Sequence, residues 1–244
     1  MSFFTKSLVL MTLGVLCASQ CQAQGGTAIV QERGIILSDV PKTIDTKALY
    51  LFYVSGYLVE AGNTRPVSPK FGVYEYEQIL DAFKQSGFVV ISEARKQSPE
   101  IEPYAKRVAE QVRQLLRAGV PPKQITVVGA SQGSWMAMLV STYLENRHVN
   151  FVFISGCSAD DGLLKLVNLH GNVLIIYEKT DIWPGTRPCS RFRDDATGLS
   201  EYKEVETNTG ERHGFLYRPM KEWVEPTVEW ARKRSIHAGR VRAA

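Results

Sequence analysis

Two kinds of apolar pattern alternate along this chain. Short runs of consecutive apolar residues, rich in β-branched and aromatic side chains, occupy positions 48–54, 88–91, 125–128, 151–154 and 173–177. Runs of this length are typical of strands that are covered on both faces. Between them, apolar residues recur every three or four positions, as at Tyr76, Ile79, Leu80 and Phe83. This spacing predicts amphipathic helices.

The order of these elements predicts the fold class. Strands that alternate with helices form an α/β fold, here a doubly wound, mostly parallel sheet flanked by helices. No insertion is long enough for a large cap domain, so we expect a single domain over residues 24–244. Helices are expected at 74–85, from Ser98-Pro99 onward, after residue 133, at 162–169 and from about Trp223, with short strands at 28–31, 34–37 and 202–206.

The N-terminal segment has the composition of an export signal. A basic residue precedes an apolar run at 8–16, and small residues lead to Ala23. This predicts a secretory signal peptide over residues 1–23, and hence a periplasmic or secreted protein. The apolar run is too short to span a membrane, so no stable membrane insertion is expected. A lipoprotein signal is the alternative because of Cys17 and Cys21, although the residue before each is unfavourable for that cleavage.

Composition and charge narrow the function classes. The 244 residues are 44% hydrophobic and 22% charged, with a net charge of +4. These values fit a soluble globular domain and give no reason to expect nucleic-acid binding. The sequence has no His-Glu-x-x-His motif or glycine-rich phosphate loop, and the two cysteines beyond the predicted signal lack zinc-type spacing, so we expect neither a metal nor a cofactor. Cys157 and Cys189 remain after the predicted signal, and in an oxidising compartment they are candidates for a disulfide.

The strand at 125–128 leads into Gly129-Ala130-Ser131-Gln132-Gly133, which is followed by an apolar helix. A Gly-x-Ser-x-Gly motif between a strand and a helix holds a serine hydroxyl exposed at the end of a sheet. The glycines stand where the turn leaves no room for a Cβ. Ser131 is therefore the candidate nucleophile. The backbone N–H groups of Gln132 and of Tyr57, in the loop after the first long strand, are the candidate oxyanion-hole donors.

A carboxylate and a histidine follow later strands, where functional residues of a parallel sheet are expected. Asp181 follows the strand at 173–177 and is the candidate acid, while Glu178 competes with it but sits close to the strand end. His213, in a glycine-flanked loop before the last helix, is the candidate base. The chain order Ser, Asp, His differs from the orders in chymotrypsin and subtilisin. These residue types together predict a nucleophile activated by a base that a carboxylate orients.

In these features the chain resembles the α/β-hydrolases, and more narrowly the small, capless members related to dienelactone hydrolases and short esterases. The resemblance extends over roughly residues 48–231 and rests on the Gly-x-Ser-x-Gly motif, Asp181, His213-Gly214-Phe215 and the order of strands and helices. Two features depart from the family pattern. Ser55-Gly56 stands where the family often has His-Gly, and the nucleophile is a serine, whereas dienelactone hydrolases use a cysteine.

The expected activity is hydrolysis of a small-molecule carboxylic ester through an acyl-enzyme on Ser131. Arg95, just past a predicted strand, and Trp183 and Phe215, in the segments that follow Asp181 and His213, are candidate substrate contacts. A thioesterase, or an amidase or peptidase, would use the same triad. A catalytically silent homologue that binds a ligand is the alternative from another class.

Overall fold

The computed structural model describes Met1 and residues 34–59, 62–95, 100–157, 161–182 and 189–239. The predicted signal peptide, the predicted strand at 28–31, the Ser98-Pro99 pair and Trp183 lie outside the described residues. Among the described helices, none is long and apolar enough to cross a membrane.

A seven-stranded, all-parallel sheet forms the centre of the fold. The strands are β1 (Ile35–Leu37), β2 (Leu49–Val54), β3 (Val67–Ser68), β4 (Gly72–Val73), β5 (Phe88–Ile91), β6 (Ile125–Ala130), β7 (Asn150–Ile154), β8 (His170–Glu178) and β9 (Gly198–Thr207). The sheet has the order β1-β5-β2-β6-β7-β8-β9, and β3 and β4 form a separate antiparallel hairpin. The strand order reverses between β2 and β6, and in such sheets ligands bind at the carboxyl ends of the strands beside this point.

Helices cover both faces of the sheet. They are α1 (Tyr76–Gln85), α2 (Ile101–Arg117), α3 (Gln132–Leu144), α4 (Asp161–Leu166), α5 (Ser190–Asp194) and α6 (Lys221–Gly239), with 3-10 turns at Pro122–Gln124 and Arg212–Tyr217. Helices α2 and α3 pack into one apolar layer, and α1 and α6 into the other. The central strands are therefore buried on both faces, which explains their continuous apolar sequence.

The predicted fold class is confirmed: the described chain is a doubly wound parallel sheet without a large cap. Two strands are longer than their apolar runs, because β8 and β9 pair through polar residues as well, past a register shift at Gly171/Asn172. The hairpin β3–β4 was not predicted, since strands of two residues carry no periodicity.

The predicted disulfide is also confirmed. Cys157 follows β7, Cys189 precedes α5, and their Cα atoms are 5.1 Å apart. Both residues are buried. The bond joins the end of β7 to the segment that follows β8, at the carboxyl edge of the sheet.

Candidate active site

Ser131 lies between β6 and α3 in a backbone conformation that L-residues rarely adopt, with φ 55° and ψ −122°. Two glycines make this turn possible. A Cβ on Gly129 would overlap the backbone of Gly133, and a Cβ on Gly133 would overlap the carbonyl of Val54 at the end of β2. The close approach of these segments places Ser131 just beyond the carboxyl ends of the central strands.

A second serine, Ser134, supports this turn from the interior. Its buried hydroxyl donates a hydrogen bond to the Gly129 carbonyl at 2.7 Å, and the Ile154 N–H donates to Ser134 Oγ at 3.0 Å. The Ser131 N–H donates to the Ile154 carbonyl at 2.8 Å. The turn is thus tied to β7 as well as to β6, which stabilises an otherwise unfavourable backbone conformation.

The imidazole ring of His213 joins Ser131 to Asp181. His213 Nε2 lies 2.9 Å from Ser131 Oγ, and His213 Nδ1 lies 2.7 Å from Asp181 Oδ2. Asp181 comes from the loop after β8 and its side chain is 1% exposed, whereas that of His213 is 13% exposed. A hydroxyl, an imidazole and a buried carboxylate in this hydrogen-bonded series have the geometry in which the imidazole can accept the serine proton.

Glu178, at the end of β8, has a different role from Asp181. Its carboxylate accepts hydrogen bonds from the N–H and hydroxyl groups of Thr180 and Thr209 and from the hydroxyl of Thr207. Burial raises the pKa of Glu178, but these hydrogen bonds, led by those of the Thr209 and Thr180 N–H groups, outweigh it and lower the pKa to about 2. The charged carboxylate of Glu178 therefore stabilises two loops, the one after β8 and the one after β9.

His213 is held from two sides. The N–H of Arg212 donates to the hydroxyl of Thr180 at 3.1 Å, which ties the histidine turn to the loop that carries the acid. On the other side, the ring of Phe71 lies 6.4 Å from the imidazole, measured between centroids. Gly214 leaves room for this ring, because a Cβ there would lie 2.9 Å from Phe71. The glycine-flanked segment around His213 is a 3-10 turn that packs against Phe71, between β3 and β4.

A cavity of about 590 Å³ opens beside Ser131 and His213. Its volume is that of a site for a small molecule. Much of its wall is apolar and comes from the loop after β2, the hairpin and the histidine turn, with the side chains of Leu58, Val67, Pro69, Phe71 and Leu216. Within the part of the chain that the structure describes, no group of three or more His, Cys, Asp or Glu side chains is placed to hold a metal ion.

Gln132 and Tyr57 lie on the wall of the same cavity. Gln132 is the first residue of α3, and the first N–H groups of a helix have no intrahelical partner. The N–H of Tyr57 has no hydrogen-bond partner among the described residues. Its neighbour Gly56 lies against the serine, since a Cβ there would be 3.4 Å from the Cβ of Ser131. Gln132 and the Gly56–Tyr57 segment therefore both lie next to Ser131.

The structure places two of the expected substrate contacts in the interior. Phe215 is fully buried in the layer with α6, and its carbonyl accepts a hydrogen bond from Trp223 at 3.0 Å. Arg95 is 2% exposed and lies under the loop after β2. Neither residue lines the cavity beside Ser131. A position just past a strand, or beside a site residue in the sequence, does not determine the direction of a side chain.

Other cavity residues were not identified from the sequence, among them Trp135, Ser155 and Leu216. One signal was available for Trp135. It lies four residues after Ser131 on α3, and residues at this spacing share a helix face. The strand end that carries Ser155 has no comparable signal, because its approach to the cavity depends on the position of β7 beside β6.

The sheet order and the position of the serine turn define the α/β-hydrolase fold. The structure is similar to a truncated carbohydrate esterase from gut microbiota (TM-score 0.53, 11% identity, 81% of this chain and 89% of that one). It is also similar to SOBER1 of Arabidopsis thaliana (0.52, 11%, 77% and 99%) and to an esterase/lipase from an uncultured bacterium (0.52, 13%, 81% and 80%). Neither a family model nor a curated protein matches the sequence. At these identities the similarity concerns the fold.

Proposed function

We propose that this protein is a serine hydrolase that cleaves small carboxylic esters, with Ser131 as the nucleophile. The observation that carries the proposal is the hydrogen-bonded series from Ser131 Oγ through His213 to Asp181, with distances of 2.9 and 2.7 Å. In this arrangement the buried carboxylate holds the proton on Nδ1 of the imidazole. The lone pair of Nε2 is then directed at the serine hydroxyl.

In the acylation step, Ser131 Oγ attacks the ester carbonyl carbon while His213 Nε2 takes the hydroxyl proton. The negative charge that develops on the carbonyl oxygen is stabilised by the N–H groups of Gln132 and Tyr57 and by the positive end of the α3 dipole. Collapse of the tetrahedral intermediate breaks the bond to the alcohol oxygen, which takes the proton from His213. Water then attacks the acyl-serine with His213 as base, which releases the carboxylic acid and restores Ser131.

The cavity supports a small ester with an apolar acyl or alcohol part. Its volume of about 590 Å³ is limited, and its wall is largely apolar. Burial of apolar substrate surface there contributes about 25 cal/mol per Å². Among the structurally similar proteins, two are named as esterases, which is consistent with an ester substrate.

We also propose that the chain is exported as a single domain of residues 24–244 after cleavage behind Ala23. The buried disulfide between Cys157 and Cys189 supports this proposal. Disulfides persist in oxidising compartments and are rare in the cytosol.

The function is tested by the intact mass of the protein after treatment with a fluorophosphonate. We expect one covalent adduct on the wild type and none on Ser131→Ala, which should also lose about 10⁴-fold or more of any ester hydrolysis. Ser155→Ala is the matched control and should keep the adduct, because Ser155 lines the same cavity but its buried hydroxyl has no hydrogen-bond partner among the described residues. Absence of an adduct on folded wild type would favour the ligand-binding alternative. Turnover of thioesters or amides in preference to esters would reassign the substrate class.

A further inference from the structure

Arg95 is a buried cation directly behind the loop that carries Tyr57. It follows β5, the neighbour of β2 in the sheet, and only 2% of its surface is exposed. Its Nη2 donates to the carbonyl of Ser55 at 2.7 Å and to the carbonyl of Gly56 at 2.8 Å. Its Nη1 lies 3.4 Å from Sδ of Met136, on α3. The guanidinium therefore connects the loop after β2 to the helix that begins at the serine turn.

This placement of a charge is unfavourable for stability. An arginine stays protonated in proteins, and moving its charge out of water lowers stability unless a carboxylate compensates. Among the described residues, no carboxylate forms an ion pair with Arg95. The face of Tyr104, 5.1 Å from the guanidinium carbon, offsets part of the cost, as do the two carbonyls. An apolar side chain would fill this space without the unfavourable burial of a charge, so packing alone does not explain why an arginine is present.

The two accepted hydrogen bonds determine how the loop is oriented. In a planar trans peptide, the carbonyl of one residue and the N–H of the next point in opposite directions. Because the Gly56 carbonyl points at Arg95, the Tyr57 N–H in the same peptide plane points away from Arg95. The opposite side of this loop is the cavity side, where Gly56 lies against Ser131. Arg95 thus turns the Tyr57 N–H to the side of the loop on which Gly56 and Tyr57 line the cavity.

The charge also affects the strength of this donor. A cation at the carbonyl oxygen withdraws electron density from the peptide and makes its N–H a stronger hydrogen-bond donor. The guanidinium is buried and lies against an aromatic ring, so the effect is weakly screened. The neighbouring Tyr74 is in the same buried region. Burial raises its pKa to about 12, although the charge of Arg95 acts to lower it.

We propose that Arg95 is the positioning residue of the oxyanion hole: it holds and polarises the Gly56–Tyr57 peptide so that the Tyr57 N–H stabilises the tetrahedral intermediate on Ser131. This inference rests on the proposed serine hydrolase function. It makes Arg95 a residue that acts through the backbone and never contacts the substrate.

The test compares wild type with Arg95→Met, Arg95→Lys and Arg107→Met. Arg107 is the matched control, because its guanidinium also stacks on Tyr104, at 4.9 Å, but contacts Glu93 at the surface instead of the loop. For each protein, active sites are titrated by the burst of 4-nitrophenyl acetate cleavage, and kcat and KM are measured per titrated site. The affinity for an aliphatic trifluoromethyl ketone, which adds to the serine as an oxyanion, is compared with that for the corresponding alcohol.

We expect Arg95→Met to lower kcat per site about 100-fold, the usual cost of losing one oxyanion donor. The affinity for the ketone should fall by a similar factor, while KM and the affinity for the alcohol stay within about threefold, because only the oxyanion needs the oriented N–H. Arg95→Lys should be intermediate, since its ammonium reaches fewer carbonyl oxygens than the guanidinium fork. Arg107→Met should match the wild type.

Different results would overturn the proposal. If Arg95→Met lowers only the melting temperature, with kcat per site and ketone affinity unchanged, Arg95 is merely structural. If Arg95→Met does not fold, the decision passes to Arg95→Lys, for which unchanged ketone affinity would contradict the proposal and a loss of fivefold or more would support it. A wild type that neither cleaves the ester nor binds the ketone would instead refute the proposed hydrolase function, and the inference with it.

Discussion

Two carboxylates at the end of β8 have different surroundings, although Glu178 and Asp181 are three residues apart and equally buried. Glu178 is surrounded by hydroxyl and N–H donors from Thr180, Thr207 and Thr209. Asp181 instead accepts a hydrogen bond from His213 at 2.7 Å. Burial and position are therefore not what separates a structural from a proposed catalytic carboxylate. The donors that surround each one make the difference.

The largest expected effect is that of Asp181→Asn. An amide cannot stabilise the imidazolium and favours the wrong tautomer of His213, so kcat/KM for an ester substrate should fall about 10³- to 10⁴-fold. The melting temperature should change by only a few degrees, because the amide fills the same space. Steady-state kinetics and a thermal melt of the same preparation check both statements. Retention of more than a tenth of the activity would remove Asp181 from the proposed triad.

The disulfide provides the next comparison, since it joins Cys189, eight positions after Asp181, to the residue Cys157 that follows β7. Loss of the bond in the double variant Cys157→Ser, Cys189→Ser should lower the free energy of unfolding by about 2–4 kcal/mol, because the denatured chain is no longer cross-linked between two residues 32 positions apart. Urea unfolding of the variant, and of wild type with and without reductant, measures the difference. Equal stability under all three conditions would contradict the prediction.

The smallest expected effect, about 2–3 kcal/mol, is that of Glu178→Gln on the free energy of unfolding. A neutral amide accepts hydrogen bonds more weakly than the carboxylate. Its NH₂ group would also face the N–H and hydroxyl groups of the threonines, which are themselves donors. Activity per folded molecule should stay within about tenfold of wild type, unlike that of Asp181→Asn. Glu225→Gln, on the exposed side of α6, is the control and should match the wild type in both respects.

The pH dependence of the stability difference between wild type and Glu178→Gln tests whether the charge of Glu178 causes that difference. The pKa of Glu178 is about 2 in the folded protein, below the ordinary value of about 4.3 for an unfolded chain. Its contribution to stability is therefore present above about pH 4.3 and is lost as the pH falls toward about 2. Wild type should lose its advantage over Glu178→Gln across this window in urea unfolding. A constant difference down to pH 2 would show that the charge of Glu178 is not responsible.

The sequence predicted the sheet well because its central strands are buried on both faces. Continuous apolar runs mark such strands, and each strand of the seven-stranded sheet overlaps a predicted one. Ser131, Asp181 and His213 were singled out because each follows a predicted strand or precedes the last helix, and the structure brings them within hydrogen-bonding distance.

Side-chain direction and distant donors could not be predicted in the same way. The threonines that hold Glu178 include Thr207 and Thr209, about thirty positions away, and only the pairing of β8 with β9 brings them close. The inward direction of Arg95 likewise depends on where β5 lies beside β2. Periodicity records which residues are buried, but not what each buried polar group contacts.

The backbone at Ser131 has a consequence for how this protein tolerates change. A non-glycine residue in such a conformation costs on the order of 1–3 kcal/mol, and glycine would relieve most of that cost. Glycine has no hydroxyl, so the residue that makes this turn most stable could not act as the nucleophile. Selection for heat resistance alone would therefore favour the loss of the proposed nucleophile, and any screen for more robust variants has to score turnover alongside thermal tolerance.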